Sequence, residues 1–286
     1  MAVNKHTSTT QNRRKSLQAT TDAELTRLKI RLNKKREYIA ILELELFNTR
    51  VTIHEFMEVY DQRVGPLEIY LRTLRRKLYE VLEAQRPEPD EPIEEAYGAE
   101  DEEEAFTYQD KDDTNGWRSI GTAKKSKYSP KMEEQIKQLF RELARRFHPD
   151  LTSDPEEKKW REEIMTRVNQ AYSSRDLKAL RALAEQPDRP VDSPNQTKEQ
   201  EITALRAELK RLDGVIADLK ARIRHLEESP AWQLKMESRL IRRSGSDLLT
   251  ELEDKIKAQI ADLEERLTGM GIDLEPFASV RPVQAE

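Results

Sequence analysis

From residue 25 onward, apolar side chains recur at alternating three- and four-residue steps: Leu25, Leu28, Leu32, Ile39, Leu42, Leu46, Ile53, Phe56 and Tyr60. That spacing is the seam of a heptad repeat, the pattern of a helix that packs along another helix. Thr21 and Glu24 have the spacing of a capping box and predict that the helix starts there. Residues 1–20 are polar, lack apolar periodicity and read as a disordered tail. Lys35 and Thr49 interrupt the seam, which weakens packing locally while helping to fix register. Gly65 and Pro66 predict a break and a reversal, because proline suits the first turn of a new helix. Leu67, Leu71, Leu74, Leu78 and Val81 then continue the pattern, so residues 21–86 are expected to form an antiparallel helical hairpin.

The strongest repeat lies near the other end. Ile202, Leu205, Leu209, Leu212, Ile216, Leu219, Ile223 and Leu226 fill every seam position without a polar substitution. Ser229-Pro230 and the stretch 244–247 punctuate the run, and Leu249, Leu252, Ile256, Leu263 and Leu267 predict a further helix ending near Gly269. Residues 198–270 therefore read as a coiled coil with a second hairpin, followed by a tail, 271–286. A heptad seam specifies a surface and not a partner, so pairing within the chain and pairing with a second copy are both open.

Between the two coiled coils the pattern changes. Residues 87–128 are rich in Glu and Asp, including the unbroken acidic run 100–104, and poor in aliphatic side chains, which predicts an extended linker. A proline-rich stretch, 186–197, closes the central module. Within residues 129–185, Ile136, Leu139, Phe140, Leu143, Ala144 and Phe147 share one helical arc, while Lys137, Arg141 and Arg145 form a basic stripe on a neighbouring face. A second amphipathic helix carries Trp160, Ile164, Met165, Val168, Ala171 and Tyr172. The loop between them is His148-Pro149-Asp150, expected at the exposed tip of a helical hairpin.

The run from Leu139 to Asp150 resembles the second helix and loop of a DnaJ-type J domain, and Asn169, Ala171 and Tyr172, with Met165 four residues before Asn169, resemble that family's third helix. The resemblance implies that His148, Pro149 and Asp150, with Lys137, Arg141, Arg145 and Arg146, dock on a DnaK-type ATPase chaperone and stimulate its ATP hydrolysis. Phe140, Leu143, Phe147, Met165, Val168, Asn169, Ala171 and Tyr172 are expected to support the hairpin from within. The family's first helix is not recognisable upstream, where Trp117, Ile120 and Tyr128 stand amid Gly, Ser and Lys.

Composition narrows the remaining readings. With 36% hydrophobic and 37% charged residues, 8 glycines and 6% aromatics in 286 residues, one thick core is not expected; an elongated all-α molecule is. In it, helical hairpins and coiled coils flank the small J-domain-like hairpin. A net charge of −5 and scattered basic clusters make nucleic acid an unlikely partner. The chain has no cysteine, no ligand-spaced histidines and no phosphate-binding glycine loop, so no metal, cofactor or enzymatic activity is expected. Neither a signal sequence nor a membrane span is read, and a cytoplasmic location is expected. The expectation is a co-chaperone whose coiled coils bind an unknown client or a second copy of the chain. The alternative is a coiled-coil scaffold whose J-like hairpin has lost chaperone contact.

Overall fold

The computed structural model describes residues 4–85, 129–187 and 197–275, with side chains from residue 20 onward. Among the described residues there are eight α-helices, one 3-10 turn and no strand, so the fold is all-α. The acidic linker expected at 87–128 lies outside the described residues, as do 188–196 of the second linker and 276–286 of the tail. No helix among the described residues is long and apolar enough to cross a membrane.

The first helix, α1, spans Asn4–Arg63 and so begins inside the segment expected to be a disordered tail. Residues 4–63 contain neither glycine nor proline, so nothing in the backbone interrupts the helix, and their Lys, Arg, Gln and Leu side chains favour it. Thr21 consequently lies inside α1 and does not cap it. The chain divides into two compact units, 1–49 with 112–226, and 50–111 with 227–286.

In the first unit, α1 pairs with α6 (Lys198–Glu227). Ion pairs join Lys198 to Asp22, Lys29 to Glu201 and Lys35 to Asp213, and the Lys220 ammonium lies 5.2 Å from the centre of the Tyr38 ring. Partners advance together along both helices, so the pairing is parallel. Leu25, Leu28, Leu32, Ile39, Leu42 and Leu46 of α1 are buried, as are Ile202, Leu209, Leu212, Leu219 and Ile223 of α6. Each buried leucine is worth about 1.5–3 kcal/mol, whereas exposed ion pairs add little and mainly set register. Both seams are thus filled within one chain. The interruption at Lys35 is accommodated by its Asp213 partner, and Thr49 is itself buried.

The second unit holds the end of α1, α2 (Gly65–Ala84), α7 (Pro230–Arg243) and α8 (Leu248–Gly269). The reversal expected at Gly65-Pro66 does not occur. One residue, Val64, separates α1 from α2, and it stays in the right-handed region at φ −100° and ψ −39°. Helical bonds continue across the join, with the Val64 N–H donating to the Tyr60 carbonyl at 2.7 Å and the Glu68 N–H to the Val64 carbonyl at 3.0 Å. Pro66 falls in the first turn of α2, where its fixed φ suits a helix, and the chain runs on into α2 instead of folding back. The apolar face of α2, with Leu67, Tyr70, Leu71, Leu74 and Leu78 buried, packs along α8. Arg63 binds Asp247 at 2.9 Å and also Glu253, and the Tyr70 hydroxyl donates to Glu264 at 2.7 Å, so this pairing is parallel too. Ser229 accepts from the Trp232 N–H to cap α7, and Gly245, at φ 94°, supplies the left-handed residue that ends it.

Candidate functional site

The central module has three helices, α3 (Pro130–Phe147), α4 (Pro155–Ser173) and α5 (Leu177–Ala184), with the 3-10 turn Pro149–Leu151 between the first two. Each helix start has a chemical reason. Proline occupies the first turn of α3 and of α4; the Asp154 carboxylate accepts from the Glu156 N–H, and that of Asp176 accepts from the Lys178 and Ala179 N–H groups. The third helix, α5, was not read separately from the sequence; Leu180 and Leu183 bury it against α3 and α4.

Phe140, Leu143, Ala144 and Phe147 of α3 are buried, as are Ile164, Met165, Val168, Asn169 and Ala171 of α4. Phe147 meets Trp160 edge to face at 5.7 Å. Of the residues expected to support the hairpin, Phe140, Leu143, Phe147, Met165, Val168, Asn169 and Ala171 are thus buried, and Tyr172 is half-buried. The aromatic face of the module is covered by α1. Phe47 of α1 lies 5.9 Å from Phe140 and 5.4 Å from Tyr172, whose rings are 4.7 Å apart, and the Tyr172 hydroxyl donates to Asn48 at 3.1 Å. Burial holds the Tyr172 hydroxyl above the usual phenol range. Arg36, Ala40, Glu43, Phe47 and Arg50 form a second heptad-spaced stripe, one residue behind the α1 seam. Among the described residues, Phe47 of this stripe is the ring that α1 packs against the module.

The loop is less open than expected. His148 is 1% exposed, so it does not present itself at a free tip. Its Nδ1 accepts from the Asp150 N–H at 3.0 Å, capping the 3-10 turn, and its Nε2 lies 2.6 Å from Glu43 of α1. An accepting Nδ1 leaves the ring proton on Nε2, where Glu43 receives it. The turn's carbonyls are held as well: Arg161 donates to that of His148 at 3.3 Å, and Arg211 of α6 to that of Asp150. Arg161 is itself fixed by Glu157, and Arg211 by Glu208. Beside them, burial lowers the Arg36 guanidinium from its ordinary value, with Glu208 opposing and the Arg161 and Arg211 charges adding to the effect. Pro149 and Asp150 remain half-exposed, and the Asp150 carboxylate lies 3.2 Å from Lys158.

The basic stripe divides. Lys137 and Arg145 are exposed, and Arg141 is half-exposed, 3.2 Å from Glu134. A cleft of about 330 Å³ runs beside them, lined by Gln138, Arg141, Glu142 and Arg145 of α3 and by Glu37, Ala40 and Ile41 of α1. Arg146 does not belong to this surface. Its guanidinium donates to the carbonyls of Ala184 at 2.6 Å and Gln186 at 2.8 Å and lies 4.7 Å from the Phe147 ring centre, so it fastens the end of α5. The carbonyls at a helix end lack partners of their own, and a cation that supplies two bonds there is structural.

The chain matches no family model, no curated protein and no solved structure. What the site can do therefore rests on its own geometry. The module offers a turn held by Glu43 of α1, Arg161 of α4 and Arg211 of α6, one half-exposed carboxylate, and a row of cations on α3. Among the described residues, no group of His, Asp and Glu side chains could hold a metal ion.

Proposed function

We propose that this chain is a non-enzymatic co-chaperone of the J-domain type, which binds a DnaK-type ATPase chaperone and stimulates its ATP hydrolysis. One observation carries the reading: His148-Pro149-Asp150 forms the turn between two amphipathic helices, with Asp150 half-exposed and Lys137, Arg141 and Arg145 in a row on the preceding helix. A row of cations steers an acidic partner surface toward the helix, and a carboxylate beyond its end can bind one fixed cation on that partner. Of the residues assigned to docking from the sequence, Pro149, Asp150, Lys137, Arg141 and Arg145 keep that role in this proposal. His148 acts from inside the turn, and Arg146 holds α5. The coiled coils select the client or location, and the reading places the protein in the cytoplasm.

The test is steady-state ATP hydrolysis by the host's DnaK-type chaperones with the full chain and its Asp150→Asn variant. Stimulation by the wild type alone supports the proposal; equal rates with the two proteins sink the role given to the loop. A second reading, a coiled-coil scaffold with an inactive J-like hairpin, is favoured by the burial of His148 against Glu43. It is supported if the full chain neither binds nor stimulates any of those chaperones.

A further inference from the structure

We infer that Glu43, on the coiled-coil helix α1, is a positioning residue for the His148-Pro149-Asp150 turn, acting on Asp150 through the His148 imidazole. This inference rests on the co-chaperone reading for its functional consequence, although not for its geometry.

The argument begins with burial. A side chain that is 1% exposed offers nothing to a partner protein, so His148 does its work inside the turn. Its two ring nitrogens face opposite tasks. Nδ1 accepts the Asp150 N–H at 3.0 Å, and that bond sets the direction in which the Asp150 side chain leaves the backbone. Nδ1 accepts only while unprotonated, which leaves the proton on Nε2, where a buried donor must find an acceptor. Glu43 is that acceptor at 2.6 Å, with its own side chain 15% exposed. Fixing one nitrogen of an imidazole by the hydrogen bond at the other is a general way of holding a histidine in one tautomer and one orientation.

The remaining polar groups of the turn are held from other elements, Arg161 on the His148 carbonyl and Arg211 on that of Asp150. Glu43 comes from α1 and Arg211 from α6, the two helices joined by the buried seam. The coiled coil thus contributes directly to the orientation of Asp150. Removing Glu43 leaves the turn's sequence untouched and takes away one of the two bonds that hold the ring in the Nε2–H form.

The experiment uses the full-length chain with Glu43→Ala and Glu43→Gln. The tautomer of His148 is read from its ring nitrogen chemical shifts, and chaperone ATP hydrolysis is measured alongside. The glutamine carbonyl can still accept from Nε2, so Glu43→Gln is expected to keep the Nε2–H tautomer and to stay within about threefold of wild-type stimulation, whereas Glu43→Ala populates the Nδ1–H form and loses about tenfold, the scale of one hydrogen bond. An unchanged tautomer in Glu43→Ala overturns the inference, and so does a rise in stimulation, which would make Glu43 a restraint on the loop. If the wild type stimulates no chaperone while Glu43→Ala still shifts the tautomer, the co-chaperone reading fails and the role of Glu43 in orienting the turn stands.

Discussion

The two units use the same parallel pairing and differ in what the paired helices do with their remaining faces. In residues 50–111 with 227–286, the outlying polar groups serve the pairing itself: Arg63 ties α1 to Asp247, Thr250 and Glu253 of the partner segment, and Tyr70 reaches Glu264. In residues 1–49 with 112–226, α1 has a second buried stripe that receives α3 and α4, with Phe47 against Phe140 and Tyr172 and Glu43 against His148. A heptad seam makes a rod, and a second stripe on the same helix makes a docking platform. The His148-Pro149-Asp150 turn is assembled in the unit that has both.

That contrast predicts separable damage. The largest expected effect is Phe47→Ala, which removes an aromatic side chain 6% exposed from the platform without touching the seam. A loss of about 3–5 kcal/mol is expected, read as faster amide exchange across α3 and α4 while α2 and α8 stay protected. The mirror experiment is Leu74→Ala, a fully buried position of α2, with an expected loss of about 2–5 kcal/mol confined to exchange in α2 and α8. Equal loss of protection in both units from either change would break the comparison. A smaller effect is expected of Arg146→Ala, which leaves the Ala184 and Gln186 carbonyls unpaired at a cost of about 1–3 kcal/mol and loosens α5 first.

The smallest effect is electrostatic and belongs to the other unit. Hydrogen bonds from Arg63 and Thr250 hold the Asp247 carboxyl below the usual carboxylate range. A depressed carboxylate stabilises the fold above its unfolded value, near 3.9, and that contribution is lost as pH falls through the lower folded value. The pair is a third exposed, so its worth is below about 1 kcal/mol. Asp247→Asn should therefore lower the melting temperature slightly at neutral pH and converge with the wild type in acid, as the Asp247 carboxyl becomes protonated. A constant gap across that range would assign the effect to packing.

Most of the secondary structure was legible because an uninterrupted heptad seam leaves a strong period, as Leu205 to Leu226 illustrate. The second stripe was not, because Arg36, Ala40, Glu43, Phe47 and Arg50 mix two cations, an anion and a methyl group around one aromatic ring. Such a mixture resembles a solvated face. The residues of α1 that cover the Phe140 and Tyr172 rings precede the acidic segment and lie far in sequence from the hairpin they pack on. Gly65-Pro66 has the pattern of a reversal, yet a proline in the first turn of a helix also fits a chain that continues in the right-handed region, as Val64 does. The His-Pro-Asp turn and the α3 arc were legible from spacing; the inward orientation of His148 was not, since it depends on a glutamate from another helix.

The central claim is that α1 and α6 complete the α3–α4 hairpin, and it is tested most directly by excising residues 129–187 and following the thermal unfolding of the fragment by circular dichroism beside the full chain. Without Phe47, Glu43 and Arg211 the fragment exposes the Phe140 and Tyr172 rings and loses two anchors of its turn. The account predicts a broad, weakly cooperative transition well below that of the intact protein. A sharp transition in the fragment, with the His148 ring still in the Nε2–H form, would contradict it.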